Sequence, residues 1–368
     1  MQLFIGLMSG TSVDAIDAAL VSFDENQTIK LEHFTTQPYP LELKDKIAEM
    51  RSATARFSFK EVAELDIKLG HLFAKTVGQL LSSAKMSHEN IMAIGSHGQT
   101  IFHSPDSVEA FTLQIGDPST IAATTSITTV ADFRSMDIAV GGQGAPLAPG
   151  FHAELFRHPK ENRVVLNLGG IANITFIPSS ATQPIRGFDT GPANCLMDDW
   201  VLKILNKPYD DNGSWGQQGT VSSELLAKML ADDYFKKSHP KSTGREYFNL
   251  QWLNQKLGTS EHIPKDIQAT LQQLTVSSIA NSIITLKENV AELIICGGGA
   301  HNQQIIRLLS ETLTEIDVKT TDAYGVDPDS IEAMAFAWLA KRRLDGLPGN
   351  LPSVTGASKE VLLGGIYG

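Results

Sequence analysis

The sequence predicts an α/β fold of two related domains with an active-site cleft between them, and three observations carry that reading. An apolar strand, a Gly- and hydroxyl-rich turn and a returning apolar strand open the chain. The same order restarts at Arg163-Val-Val-Leu-Asn-Leu-Gly-Gly170, with Ile171 to Ile177 returning. Helical and strand patterns then follow each start in a similar order, although no sequence identity links the halves. At 368 residues and 42% hydrophobic, the chain is long enough for two cores.

Taken in order, segment 3–37 alternates short apolar runs with turns, as an antiparallel meander does. In 58–84, Val62, Leu65, Leu69, Leu72, Phe73, Thr76 and Leu80 fall at helical spacing and predict a long amphipathic helix. Ile91 to Gly95 reads as a buried strand that runs into Ser96-His-Gly-Gln99. Further strands are expected at Phe111 to Ile115 and Thr128 to Phe133, with a short helix near 118–126. After the restart, helices are expected over 192–206, 220–232 and 265–289. Leu293 to Cys296 is a strand entering Gly297-Gly-Gly-Ala300, followed by helices at 302–314 and 329–344. The first domain is expected over 1–135, with the tail 346–368 packing back on it, and the second over 136–345.

Composition bounds the function. Lys plus Arg is 30 against 41 Asp plus Glu, a net charge of −11, which argues against a nucleic-acid or membrane-surface partner. The two cysteines, Cys195 and Cys296, form no C-x-x-C, so a disulfide framework or cysteine zinc site is not expected. The chain starts Met1-Gln-Leu-Phe-Ile without a basic leader, and no run of about 18 apolar residues occurs. A soluble, cytoplasmic protein is expected.

Three glycine turns follow apolar strands: Ser9 to Ser12, Gly169-Gly170, and Gly297 to Gly299. Tight strand packing or a plain turn would explain any one of them. Together, across two similar half-chains, they suggest a nucleotide held by backbone N–H groups. No Walker motif is present. Acidic pairs at Asp198-Asp199, Asp210-Asp211 and Asp232-Asp233 read as solvated faces or turns. Asp189, in Phe188-Asp-Thr-Gly-Pro192, is equally a helix cap or a general base, with Pro192 expected to start the next helix.

Six segments resemble one family. They are Gly6-Leu-Met-Ser-Gly-Thr-Ser-Val-Asp-Ala-Ile-Asp17, Ser96-His-Gly-Gln-Thr100, Asp132-Phe-Arg-Ser-Met-Asp-Ile-Ala-Val-Gly-Gly-Gln-Gly-Ala-Pro-Leu147, Asn167-Leu-Gly-Gly-Ile-Ala-Asn173, Gly187-Phe-Asp-Thr-Gly-Pro-Ala-Asn194 and Cys296-Gly-Gly-Gly-Ala-His-Asn302. In this order, over essentially the whole chain, they are similar to anhydro-N-acetylmuramic acid kinases. Ala15 stands where that family often has Gly, and Asn167 where sugar kinases of this fold usually carry Asp.

The resemblance implies actin/hexokinase-like (ribonuclease H-like) domains, ATP and Mg²⁺, a cytoplasmic location and a homodimer. It implies that ATP and one water convert 1,6-anhydro-N-acetylmuramic acid to N-acetylmuramic acid 6-phosphate, with Asp189 as the base for the water. By resemblance, Gly10, Thr11, Ser12, Val13, Asp14, Ala15, Ile16 and Asp17 meet the ATP phosphates, with Asp14 holding Mg²⁺ through a water. Gly169 and Gly170 form the second phosphate turn. Gly297, Gly298, Gly299 and Asn302 approach the adenosine. For the sugar, the candidates are Arg134, Gly142, Gln143, His97 and Glu332. The lactyl carboxylate matches the Arg134 guanidinium fork, although an ion pair with Asp132 or Asp137 would equally explain that residue. A glycosidase acting without ATP would pair Asp189 with Glu332 and leave the glycine turns idle. A sensor would bind both ligands and release no product.

Overall fold

The computed structural model describes residues 1–10, 12–25, 28–51, 56–239, 241–259 and 261–368. The chain opens with the expected meander of β1 (Gln2–Ser9), β2 (Ala15–Phe23) and β3 (Ile29–Pro38). Helix α1 (Leu41–Met50) precedes the long α2 (Phe59–Ala84). A capping box starts α2: Ser58 Oγ accepts from the Glu61 N–H at 3.2 Å, and the Glu61 carboxylate accepts from the Ser58 N–H at 2.8 Å. It ends on Lys85 in the left-handed region. Next come β4 (Ile91–Ser96), the hairpin β5 (Gln99–Ser104) and β6 (Phe111–Ile115), α3 (Pro118–Thr125), β7 (Thr129–Ala131), α4 (Ser135–Ala139) and α5 (Ala148–Phe156).

The second series begins with β8 (Asn162–Leu168), β9 (Ile171–Ile177) and β10 (Arg186–Pro192), followed by α6 (Asn194–Leu205). Helices α7 (Ser223–Leu230), α8 (Asp233–Lys236), α9 (Leu250–Leu257) and α10 (Pro264–Thr285) precede β11 (Val290–Cys296), α11 (Gln303–Thr312) and β12 (Asp317–Thr320). The chain closes with α12 (Ile331–Leu344), α13 (Pro352–Thr355) and β13 (Gly365–Tyr367). Among the described residues no helix is long and apolar enough to cross a membrane.

Two compact units result. One is Met1–Leu155 with Ser330–Gly368, the other Phe156–Asp329. The sheet of the first runs β13-β7-β4-β1-β2-β3 and that of the second β10-β9-β8-β11-β12. In each unit the first strand is central. It pairs antiparallel with the second and parallel with the strand that follows the meander. The two units thus repeat one order of strands and directions, the ribonuclease H-like order of actin- and hexokinase-like domains.

The unit boundaries differ from the sequence expectation, because 136–155 and 330–345 also pack with the first unit. For 330–345 the reason lies in two glycines. Gly6 of β1 and Gly95 of β4 are register partners. A Cβ on Gly6 would overlap the Ala333 carbonyl oxygen, and one on Gly95 the Phe336 carbonyl oxygen. Both belong to α12, whose backbone rests directly on this sheet. A helical repeat shows that α12 has a buried face but does not name the sheet it faces.

Candidate active site

The first glycine turn joins β1 to β2 and is braced from behind. Ser9 Oγ donates to Gln99 Oε1 at 2.6 Å and lies 2.9 Å from Tyr39 Oη. The Tyr39 N–H donates to Asp14 O at 3.1 Å, and Val13 N–H to Gly10 O at 3.3 Å. Val13 sits at φ 55, a conformation that a β-branched residue rarely adopts. Its side chain is buried in the core beside Ile16, so these two residues offer a ligand only backbone. Asp17 accepts from Thr36 Oγ1 at 2.9 Å. Gly10 and Ala15 are half-buried, Ser12 and Asp14 exposed, and Thr11 lies outside the described residues. The Asp14 carboxylate meets Lys44 Nζ at 2.5 Å. Among the described residues no group of three His, Cys, Asp or Glu gathers as a metal site. One exposed carboxylate at this turn suits an Mg²⁺ carried mainly by phosphate and water.

The second and third turns adjoin within the second unit. Ala193, Asn194 and Cys195 donate their N–H groups to Gly170 O, Gly169 O and Gly170 O at 3.0–3.1 Å. Pro192 therefore does not start a helix: it ends β10, and α6 begins at Asn194 with its first donors turned onto the glycine turn. A Cβ on Gly297 would overlap Asn167 Oδ1, and one on Gly299 would lie 2.8 Å from Leu168 O. Asn302 caps α11 by accepting from the Ile305 N–H at 3.2 Å.

Beside these turns lies a cavity of about 630 Å³, lined by Asn194, Met197 and Asp198 of α6, the turn Tyr209 to Asn212, and Gly298, Gly299, His301, Asn302 and Gln303. Its size suits a nucleoside. His301 Nε2 lies 2.8 Å from Asp329 Oδ2, which pushes the imidazole above its usual range.

Asp189 is on β10, opposite Asn173, where the register slips between Asp189 and Gly191. It caps no helix. Its Oδ2 accepts from the Thr243 N–H at 2.9 Å. Its own N–H donates to Lys241 O at 3.0 Å, and its carbonyl accepts from Tyr234 Oη at 2.8 Å. Oδ1 has no hydrogen-bond partner among the described residues. Burial pushes the carboxyl up to about 6; the Thr243 bond opposes this, Glu246 adds to it and Lys241 opposes it. A carboxyl in that range can hold and release a proton near neutrality.

In the first unit, Arg134 donates Nη1–H to Gly144 O at 2.7 Å, and its Nε and Nη2 meet His97 Nε2 at 3.1 and 2.9 Å. A guanidinium only donates, so His97 Nε2 is an acceptor and the ring proton sits on Nδ1. Burial holds His97 well below its usual range and thus neutral. His97 is buried against Phe336, with Arg134 on its Nε2. Burial brings Arg134 down to about 10, with Glu332 and Asp137 pulling it back. No ion pair with Asp132 or Asp137 forms within 4 Å. Asp132 instead accepts from Ser135, and buried Asp137 from Gly144 N, Asn350 and Thr355. Glu332, in the first turn of α12, reaches solvent; the protein around it pushes its carboxyl up against the pull of Arg134. A Cβ on Gly142 would overlap the Asp137 carboxylate, so that glycine serves the loop's own packing. The Gln143 N–H donates to Thr355 O at 2.8 Å and its side chain to Asp106 at 3.1 Å.

Sequence reasoning missed several of these groups. The turn 209–212 and Asp198 line the cavity. Asp210 is buried and accepts from the Trp215 and Gly216 N–H groups. Asp232 is half-buried and meets Lys256 at 2.7 Å. These two carboxylates are internal ties, not the solvated groups expected. The segment after α8 that holds Asp189 was also missed. Its signal was Lys236-Lys-Ser-His-Pro-Lys-Ser-Thr-Gly-Arg245, a basic stretch in an acidic chain.

A family model described as anhydro-N-acetylmuramic acid kinase matches residues 2–368. An anhydro-N-acetylmuramic acid kinase of Coxiella burnetii is 51% identical over 364 residues, covering 99% of this chain and 97% of the relative. One of Photobacterium profundum is 48% identical over 374 residues, covering 100% and 99%. Among solved structures, component A of the Acidaminococcus fermentans (R)-2-hydroxyglutaryl-CoA dehydratase aligns at 12% identity and TM-score 0.47, covering 92% of this chain and 96% of that one.

Proposed function

The chain belongs to the anhydro-N-acetylmuramic acid kinase family, and on that premise we propose how its own residues carry the reaction. ATP and one water convert 1,6-anhydro-N-acetylmuramic acid to N-acetylmuramic acid 6-phosphate and ADP, a step of peptidoglycan amino-sugar recycling. The observation that supports the residue assignment is the environment of Asp189: one oxygen held by the Thr243 N–H, the other unpartnered among the described residues, and a carboxyl raised to about 6.

Asp189 takes a proton from the water as the water oxygen bonds to C1 of the sugar. The C1–O6 bond breaks and its electron pair stays on O6. O6 bonds to the γ-phosphorus of ATP, the bond from that phosphorus to the β–γ bridging oxygen breaks, and ADP leaves. The proton on Asp189 then passes to solvent. Arg134 has five N–H donors, and three are engaged by His97 and Gly144. The remaining two form a fork for the lactyl carboxylate. His97 positions that fork, and Glu332 accepts from a donor on the sugar. The cavity beside Gly298 and Gly299 takes the adenosine. The first turn faces the phosphates through its backbone, Gly10 and Ser12, and Asp14 would hold Mg²⁺ through a water. Mg²⁺ supplies charge neutralisation to the phosphates when bound. Chelation therefore abolishes turnover and added Mg²⁺ restores it. A cytoplasmic homodimer belongs to the same proposal, and light scattering of the purified protein tests the dimer.

Incubation with ATP, Mg²⁺ and the anhydro-sugar in ¹⁸O-water tests the reaction. Label is expected at the anomeric oxygen, with unlabelled phosphate on O6. Label in the phosphate, or ring opening without ATP, would overturn the proposal.

A further inference from the structure

We propose that Arg245 is a catalytic residue that binds the γ-phosphoryl group of ATP during its transfer to O6. This rests on the kinase reading above and adds to it a cation beside the second glycine turn.

Arg245 lies over the second glycine turn. A methyl placed on Gly170 would sit 3.3 Å from Arg245 Nε and 3.7 Å from Nη2. The guanidinium is exposed and makes no hydrogen bond or ion pair with any described residue. Asp199 feels its charge, yet no ion pair closes within 4 Å. A guanidinium fork laid on a glycine turn, with its donors unused, is a site for an oxyanion.

The helix behind the turn adds no donor for a phosphate. The N–H groups of Ala193, Asn194 and Cys195, at the start of α6, already donate to the carbonyls of Gly169 and Gly170. The usual anion site of a helix N-terminus is therefore closed here. Positive charge beside the turn must then come from a side chain, and Arg245 supplies it.

Its position in the chain ties it to the chemistry. Arg245 follows by two residues Thr243, whose N–H holds Asp189 Oδ2. O6 is bonded to the carbon that the water attacks, so the base and the phosphoryl group act only a few bond lengths apart. One short segment thus carries the clamp on the base and the cation for the phosphoryl group. As the O6–P bond forms and the bridging P–O bond breaks, Arg245 forms no covalent bond. It donates two N–H groups to phosphoryl oxygens whose charge shifts in the transition state. The lactyl carboxylate is the other oxyanion in this reaction, and the Arg134 fork already answers its chemistry.

Titration calorimetry with AMPPNP, ADP and the anhydro-sugar, each in the Asp189→Asn background to prevent turnover, tests the assignment. Arg245→Gln is expected to weaken AMPPNP by about tenfold while ADP and the sugar bind as before. With Asp189 intact, Arg245→Gln is expected to lower kcat by about 100-fold. Arg245→Lys is expected to lie between, and added guanidinium to restore part of the Arg245→Gln activity. Unchanged AMPPNP affinity, loss of sugar affinity alone, or equal loss of both nucleotides with a lowered melting temperature would each overturn it. Failure of the base assignment is seen separately, as turnover by Asp189→Asn with Arg245 in place.

Discussion

The Thr243 N–H donates to Asp189 Oδ2 at 2.9 Å, so a residue 54 positions downstream holds the proposed base. The Asp189 N–H returns a bond to Lys241 O at 3.0 Å. Lys241 and Glu246 are carried on that same segment, and their charges act on Asp189 in opposite directions. The basicity of the site is therefore set by a loop and not only by the strand that bears the carboxylate.

The first prediction is a pH profile. The base works deprotonated, and its carboxyl is raised to about 6. kcat/KM should fall with unit slope below that pH, about tenfold per unit. Glu246→Gln removes a charge that raises the carboxyl, so the acid limb should move to lower pH. Lys241→Met removes one that lowers it, so the limb should move to higher pH. Profiles unmoved in both variants would sink the argument.

Asp189→Asn should lower kcat by about 10²–10⁴-fold and leave nucleotide affinity unchanged. The stability sign runs the other way. A carboxyl raised in the folded state favours folding at low pH, and that contribution disappears as pH rises through about 6. At pH 8 the ionised form is the disfavoured one, so the amide variant should melt no lower than the parent. A clear drop in melting temperature would mean that Asp189 is structural.

His97→Phe keeps a ring against Phe336 and removes the acceptor for Arg134. KM for the anhydro-sugar should rise about tenfold, with KM for ATP unchanged. Equal changes in both constants would count against a positioning role.

Gly6→Ala and Gly95→Ala should each destabilise the fold by about 1–3 kcal/mol, because the added methyl overlaps α12 backbone. Gly346→Ala is a weak control, since open space surrounds it but its φ is 69. Gly78→Ala is the better one, with nothing near and a helical backbone. Urea denaturation distinguishes them.

Asp232 gathers Lys256 at 2.7 Å, Tyr247 Oη at 2.7 Å and Trp252 Nε1 at 2.9 Å. Burial raises its carboxyl, and Lys256, Tyr247 and Trp252 outweigh that and hold it far below the usual range. A depressed carboxyl stabilises above its unfolded value and loses that contribution as pH falls from about 4. Asp232→Asn should therefore cost about 1–2 kcal/mol at pH 7, less than a fully buried pair because water screens it. Its melting curve should depend less on acid than the parent's below pH about 4.

Much of the fold was legible because its elements are strongly periodic. The face of α2 can be read from Leu65, Leu69, Leu72 and Phe73, and the Ser58 to Glu61 box marks its start. The meander over 3–37 and its restart at Arg163 follow from apolar runs broken by Gly and Ser. Pro192 misled because the rule that places Pro at a helix start is local, and here β9 pairing extends the strand through it. Arg245 was missed because a lone Arg in a loop carries no periodic signal.

The family, the repeated strand–turn–strand plan and the residue types at the three glycine turns are all legible in the amino-acid order alone. Each is written in contiguous residues, where spacing and composition suffice. That Gly6 and Gly95 serve α12, that His97 faces Arg134, and that Thr243 and Lys241 hold Asp189 emerges from the folded chain. These pairs lie 37 to more than 200 residues apart. Their chemistry depends on burial and on which donor meets which acceptor, and neither exists until the chain has folded.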